Sequence, residues 1–327
     1  MKTVVVTFKA GEHARAIIAD VLGSEARILY LADVGAEERQ AALGMADALL
    51  ARNTANELNE AEHGLLERAK LVQFVSAGVD YIPLDRIPPG VPIASNAGAY
   101  SEPMAEHGLA MALAAAKGLL REHRNLEKGE FNQFQPKRTL RGATVGVLGF
   151  GGIGKASARL FRCLGAAVHA INRGGRADEP VDFCGTPADI PALLPRLDVL
   201  LITLPLTQST RGLIGAAELA AMKPDAILVN LARGEIVDET ALFEHLKANP
   251  AFTACIDAWW VEPVRHGEFR MDQPFLSLPN VIGSPHNSAA VPGTGDKALR
   301  LAAENVGRAL RGEGAWHVLG PDDMPPR

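Results

Sequence analysis

Thr144-Val-Gly-Val-Leu148 runs without a break into Gly149-Phe150-Gly151-Gly152-Ile153-Gly154, and a helical pattern follows from Ile153 to Leu164. A β-branched run, a glycine turn and a helix in that order form the setting in which G-x-G-x-x-G has physical meaning. The first glycine permits the tight turn, the second lets backbone approach a pyrophosphate, and the third lets the helix sit close against the strand. The phosphates then meet unpaired N–H groups at the positive end of the helix dipole. Gly149, Gly151, Gly152, Ile153 and Gly154 are therefore the expected phosphate contacts of a dinucleotide.

Working outward, the next strand, Ala167 to Ile171, should end about 20 residues after the glycines with the residue that reads the adenine ribose. An acid there selects NAD, because a carboxylate repels a 2′-phosphate. Here the positions are Asn172-Arg173-Gly-Gly-Arg176, and two guanidinium forks suit a phosphate. The expected cofactor is NADP, with NAD as the alternative in which Asn172 bonds the ribose hydroxyls.

The same rhythm of short strand and longer helix fills the chain, which implies an α/β protein with parallel sheets. After the glycine turn, strands are expected at Val199 to Leu204, Ala226 to Leu231, Thr253 to Ile256 and Val281 to Gly283. Before it, Val4 to Thr7, Ala26 to Leu31, Ala46 to Leu50 and Leu71 to Val75 read as strands, and Glu12 to Leu22 as a helix. The pattern gives two doubly wound parallel-sheet domains. Residues 99–291 form a Rossmann cofactor domain; residues 1–98 with 292–327 form a flavodoxin-like substrate domain, completed by an amphipathic helix carrying Leu299, Ala302, Ala303, Val306 and Leu310. A long helix from Glu102 to Leu120 bridges the two. The charged stretch Lys117 to Arg141 reads as a solvated face or an arm that grips a second subunit.

Composition narrows the functional classes. At roughly 150 residues per domain, 327 residues make about two domains. Acidic residues outnumber basic ones, 38 to 33, for a net charge of -5, which argues against a nucleic-acid surface. The three cysteines, Cys163, Cys184 and Cys255, are odd in number and widely spaced, so neither a disulfide framework nor a metal site is expected. No apolar run approaches the ~20 residues of a membrane span. A cytoplasmic enzyme or binder of small molecules is the expectation.

Three ionisable residues fall just beyond strand ends of the second domain, where an open α/β sheet places its ligand crevice. They are Arg233, Glu262 and His286. Hydride transfer to a 2-oxo acid needs a cation for the carboxylate and carbonyl, and a general acid for the oxygen that becomes a hydroxyl. Arg233 and His286 can supply these, and a carboxylate at Glu262 would favour the charged imidazole.

At this point the sequence resembles the D-isomer-specific 2-hydroxyacid dehydrogenase family over nearly its whole length. The resemblance is carried by Ser76-Ala-Gly-Val-Asp80, Ala105-Glu-His107, the glycine turn, Leu204-Pro-Leu-Thr207 with Thr210, Met222-Lys-Pro224, Ala226-Ile-Leu-Val-Asn230, Ala232-Arg-Gly234, Asp257 with Glu262-Pro263, and Ser284-Pro-His286. It implies that Arg233, Glu262 and His286 are the catalytic set. It also implies that backbone N–H groups of Ala77 and Gly78 hold the substrate carboxylate. Pro205, Thr210, Leu231 and Asp257 would join the cofactor contacts, and a homodimer would form through the bridging helix and the arm after it. The expected reaction is reduction of a small 2-oxo acid, of glyoxylate or hydroxypyruvate type, to the D-2-hydroxy acid. Closure would hinge near Gly98 to Glu102 and Ala289 to Gly293.

Two other readings share the fold. A relative acting on formate or phosphite is one, and Glu262 counts against formate because formate enzymes of the superfamily lack that acid. A nucleotide-sensing binding protein, like the carboxy-terminal-binding-protein corepressors, is the other, and it would keep the same side chains. The chain departs from the family at Ala258-Trp-Trp-Val261, where acidic residues are common, so a bulky apolar wall is expected beside Glu262. At least one of Trp259 and Trp260 is expected in the core. Arg52 reads as a solvated loop residue and His107 as structural.

Overall fold

A computed structural model describes residues 1–324; the last three positions of the expected 292–327 segment lie outside the described residues. The chain separates into two compact units, Met1–Tyr100 with the segment from Pro292, and Ser101–Val291.

The first unit holds β1 (Lys2–Val6), β2 (Ala26–Tyr30), β3 (Ala48–Ala51), β4 (Val72–Phe74) and β5 (Ile93–Ala94). They pair in the order β2-β1-β3-β4-β5, every pair parallel. This is the flavodoxin-like order. Val4, Val5, Val6, Leu49 and Leu50 are fully buried, as strands covered by helices on both faces must be. The helix Glu12–Leu22 has the predicted bounds. The returning helix Thr294–Arg311 buries Ala298, Leu299, Ala302, Ala303 and Val306 against Val4, Val6, Ile18, Leu22 and Leu50. Its one buried amide, Asn305, donates to the Gln73 side chain at 2.6 Å and to the Trp316 carbonyl at 2.9 Å, so the polar group is satisfied.

The second unit holds β6 (Thr144–Leu148), β7 (Ala167–Ile171), β8 (Phe183–Gly185), β9 (Val199–Ile202), β10 (Ile227–Asn230), β11 (Thr253–Ile256) and β12 (Val281–Gly283). The sheet order is β12-β11-β10-β9-β6-β7-β8, all parallel. Strand order reverses between β6 and β9, and a doubly wound sheet opens its ligand crevice at such a reversal. The glycine turn leaves β6 at that point. The expected strand over 199–204 ends at Ile202, because Thr203 turns its hydroxyl back onto the carbonyls of Leu148 and Gly149 at 3.2 and 2.7 Å.

The long helix expected over 102–120 is shorter than that. It runs Ser101–Lys117 and stops at Gly118, which sits at φ 62, a left-handed conformation that glycine adopts without penalty. A second helix, Leu119–Glu127, carries the charged stretch onward. Among the described residues no helix is long and apolar enough to cross a membrane.

Candidate active site

The glycine turn fits a pyrophosphate for reasons visible atom by atom. Gly149 has φ 95, and a methyl group there would meet backbone atoms of Thr203 and Leu204 at 2.9 Å. At Gly154 a methyl would lie 2.1 Å from the Gly149 carbonyl oxygen, so the helix can approach the strand this closely only without a side chain. Gly151 differs: its φ is -82, and a methyl there would meet nothing within 4 Å. That open space lies at the N-terminus of the twelve-residue helix Gly152–Cys163, whose N-cap, Gly151, supplies no side-chain acceptor to the first N–H groups. The site as built thus leaves room for an anion where the helix dipole favours one.

Beyond β7, the Asn172 side chain shapes its own loop, its amide donating to the Arg176 carbonyl at 2.8 Å and its oxygen accepting the Gly174 N–H at 3.0 Å. Arg173 and Arg176 are both exposed. The acids of the same loop are already engaged: Asp178 pairs with Lys155 at 2.6 Å and Glu179 with Arg159 at 2.6 Å. Across the crevice, Thr210 Oγ1 donates to the Pro205 carbonyl at 2.7 Å and accepts the Thr207 N–H at 2.8 Å, which fixes the Pro205 turn. Leu231 is buried against the helix Ser101–Lys117, where it fills the space a side chain at Gly108 would need. Ala77 and Gly78 lie in the loop that follows β4 of the first unit.

The three strand-end residues of the second unit are brought together. His286 Nδ1 lies 2.8 and 2.9 Å from the two Glu262 oxygens. An ionised carboxylate only accepts, so Nδ1 carries the proton that faces it and Nε2 is left for exchange with a ligand. Burial pushes the Glu262 carboxyl up. The hydrogen bond and charge of His286, the Trp259 N–H and the charge of Arg233 outweigh that and hold it below the ordinary carboxylate range. The Trp259 N–H reaches Glu262 Oε1 at 2.7 Å, and the Glu262 N–H donates to His266 Nδ1 at 3.0 Å. Glu262 is 6% exposed, so its carboxylate acts in a medium where charges are weakly screened.

His286 itself has φ 49, an uncommon conformation for a residue with a side chain. It is held there by its N–H, which donates to the Asp257 carbonyl at 2.9 Å. Such local strain persists only where the surroundings over-determine it. Arg233 is half-buried after β10, and its guanidinium donates to the Ala232 carbonyl at 2.7 Å. A cation, an imidazole aimed by an acid, and a turn with room for an anion on one sheet can orient a carboxylate and a carbonyl and exchange a proton with oxygen. Among the described residues no group of three metal-ligating side chains occurs.

The Trp pair belongs to the core. Trp259 is 4% exposed and Trp260 stacks on Phe275 at 5.2 Å. Both indole N–H groups are satisfied, by the carbonyls of Ser284 and Val237 at 2.8 Å each. The apolar wall expected here is therefore packing around Glu262. Arg52 lies over the Phe8 ring at 4.5 Å. One relationship escaped the sequence reading: His107 reaches Ser284 beside Asp257. Its only sequence signal was that His107 and Ser284 each fell in a family-like segment, 177 residues apart.

The geometry can be set beside known proteins. Residues 109–288 match the model of the D-isomer specific 2-hydroxyacid dehydrogenase NAD-binding domain. The chain is 32% identical over 261 residues to glyoxylate/hydroxypyruvate reductase B of Pectobacterium carotovorum, covering 78% of this chain and 80% of that protein. It is 32% identical over 263 residues to D-3-phosphoglycerate dehydrogenase of Methanocaldococcus jannaschii, covering 79% of this chain. The match spans only about half, 49%, of that relative's length. Among solved structures, a D-isomer specific 2-hydroxyacid dehydrogenase of Xanthobacter autotrophicus in complex with NADPH and MES is similar at 25% identity, with a TM-score of 0.79 and 98% of each chain covered.

Proposed function

Because the chain belongs to the D-isomer specific 2-hydroxyacid dehydrogenase family, we propose that it reduces a small 2-oxo acid of glyoxylate or hydroxypyruvate type to the D-2-hydroxy acid, with NADPH as cofactor. The observation that carries this reading is the His286–Glu262 pair, 2.8 Å apart and drawn from the loops after two neighbouring strands, β12 and β11. In it, Arg233 binds and polarises the substrate carboxylate and carbonyl. His286 gives the proton at Nε2 to the carbonyl oxygen as negative charge develops there. Glu262 orients the ring and fixes the proton that faces it on Nδ1. In the oxidative direction the same imidazole takes the proton back. Backbone N–H groups at Ala77 and Gly78, which the family resemblance gives to the substrate carboxylate, are part of the proposal.

The cofactor, when bound, supplies or accepts the hydride. Gly149, Gly151, Gly152, Ile153 and Gly154 would hold its pyrophosphate, with Pro205, Thr210, Leu231 and Asp257 toward the nicotinamide. The preference for NADPH rests on the loop after β7, where Arg173 and Arg176 are both exposed and no acid stands at the end of the strand. Support for the glyoxylate or hydroxypyruvate class comes from the name of the Pectobacterium relative, which the chain covers to 80%.

We further place the protein in the cytoplasm as a homodimer. Cys163, Cys184 and Cys255 are all unpaired thiols, as a reducing compartment allows. Leu119, Leu126, Phe131 and Phe134 are exposed on the helix and arm after Gly118, the two phenylalanines to 78% and 82%, and apolar surface of that kind is common at subunit contacts. Sedimentation of the double variant Phe131→Ser, Phe134→Ser as a monomer would support the contact. Unchanged sedimentation would refute it.

The catalytic proposal is tested by NADPH consumption with glyoxylate, hydroxypyruvate, pyruvate and aromatic 2-oxo acids. Turnover of the first two is expected. Tight cofactor binding with no turnover on any of them would favour a nucleotide sensor.

A further inference from the structure

We infer that His107 is a positioning residue for His286, acting through Ser284 on the loop that carries the imidazole. His107 stands on the helix Ser101–Lys117. Its Nε2 lies 3.0 Å from Ser284 Oγ and 3.8 Å from Asp257 Oδ1. Ser284 Oγ in turn donates to Asp257 Oδ1. A hydroxyl has one proton to give, so the chain has a fixed direction. His107 Nε2–H donates to Ser284, and Ser284 donates to Asp257.

Asp257 is fully buried, and this one residue clamps the loop on both sides of the imidazole. Its carboxylate accepts the N–H groups of Asn287 at 3.2 Å and Ser288 at 3.4 Å, directly after His286. Its carbonyl accepts the N–H of His286 itself. The Ser284 carbonyl accepts the Trp259 indole N–H at 2.8 Å, while the Trp259 backbone N–H binds Glu262 at 2.7 Å. The loop bearing the imidazole and the acid that faces it are thus tied to the same short network. A donor at its outer end polarises the Ser284 hydroxyl and strengthens its hold on Asp257. Without that donor the serine hydroxyl is free to turn, and the left-handed backbone at His286 loses one of the contacts that over-determine it.

The inference rests on the dehydrogenase reading only for its kinetic arm, so a second readout is chosen that needs no turnover. In protein labelled with nitrogen-15 at histidine, His107 should carry its proton at Nε2, and its ring resonances should move in Ser284→Ala. The ring resonances of His286, identified by their loss in His286→Asn, should move in His107→Leu and stay in place in His107→Gln, whose amide keeps a donor near the same point. In steady-state kinetics with hydroxypyruvate, His107→Leu should lower kcat about tenfold, the worth of one hydrogen bond, with KM for NADPH unchanged. His107→Gln should recover most of it. The double variant with Ser284→Ala should be no worse than the weaker single.

A His107 proton at Nδ1, a His286 ring indifferent to His107→Leu, or a kcat that Gln restores no better than Leu would each overturn the assignment. Should the wild-type protein reduce none of the 2-oxo acids, the dehydrogenase reading falls and the nitrogen-15 measurement still decides the role of His107.

Discussion

Glu262 and His286 meet across 24 residues of sequence, the ring nitrogen Nδ1 within 2.9 Å of both carboxylate oxygens. A carboxylate that touches an imidazole with both oxygens sets its tautomer and its plane at once, which leaves Nε2 as the one ring atom for chemistry.

Acid should weaken the fold through Glu262. Despite the opposing effect of burial, His286, the Trp259 N–H and Arg233 hold its carboxyl below the ordinary value of 4.5. The folded state therefore binds this proton less readily than the unfolded chain. The stabilisation is complete above the unfolded value and is lost as pH falls through the lower, folded one. Denaturant titrations from pH 6 to pH 3 should show a steeper loss for wild type than for Glu262→Gln over that window. Parallel curves would mean that the carboxylate is not held charged.

Two glycines of the turn should respond oppositely to alanine. At Gly154 the added methyl lies 2.1 Å from the Gly149 carbonyl, so Gly154→Ala should cost about 1–3 kcal/mol of stability as overpacking. Thermal unfolding reads that directly. At Gly151 the methyl meets nothing within 4 Å, so Gly151→Ala should keep the wild-type Tm. It should nevertheless weaken NADPH by tenfold or more, ~1.4 kcal/mol, because the methyl would stand in the path proposed for the pyrophosphate.

Discrimination between cofactors should sit in the loop after β7. Removing one charge-assisted hydrogen bond to a phosphate is worth about 1.5–3 kcal/mol. Arg173→Ala should therefore weaken NADPH by roughly ten- to a hundredfold and NADH little. Fluorescence titration with both cofactors checks this. Equal losses would remove the basis for a phosphate contact.

Much of this architecture can be read in the residues themselves. Strands 144–148, 167–171, 253–256 and 281–283 and the helix 12–22 stand at their predicted bounds, because long β-branched or amphipathic runs bounded by Gly, Pro or Asp leave one solution. The elements that escaped are those with little pattern to carry them. β5 has two residues and β8 has three, and each exists because a neighbouring strand offers its free edge. The helix Ala36–Gly44 buries only Ala42 and Leu43. Arg233, Glu262 and His286 were legible because strand ends in a doubly wound sheet point to one crevice. His107 was not, since its meeting with Ser284 depends on how one long helix lies against the sheet. The engagement of Asn172 with its own loop was hidden for the same reason: a side chain's partner is chosen in three dimensions.

The most direct test is the turnover of His286→Asn with hydroxypyruvate and NADPH, measured beside its cofactor affinity. A fall in kcat of about a hundred- to ten-thousandfold is expected, the usual worth of a positioned general acid, with NADPH binding within about twofold of wild type, a difference under ~0.5 kcal/mol. Wild-type turnover in the variant would show that the imidazole is not the proton donor.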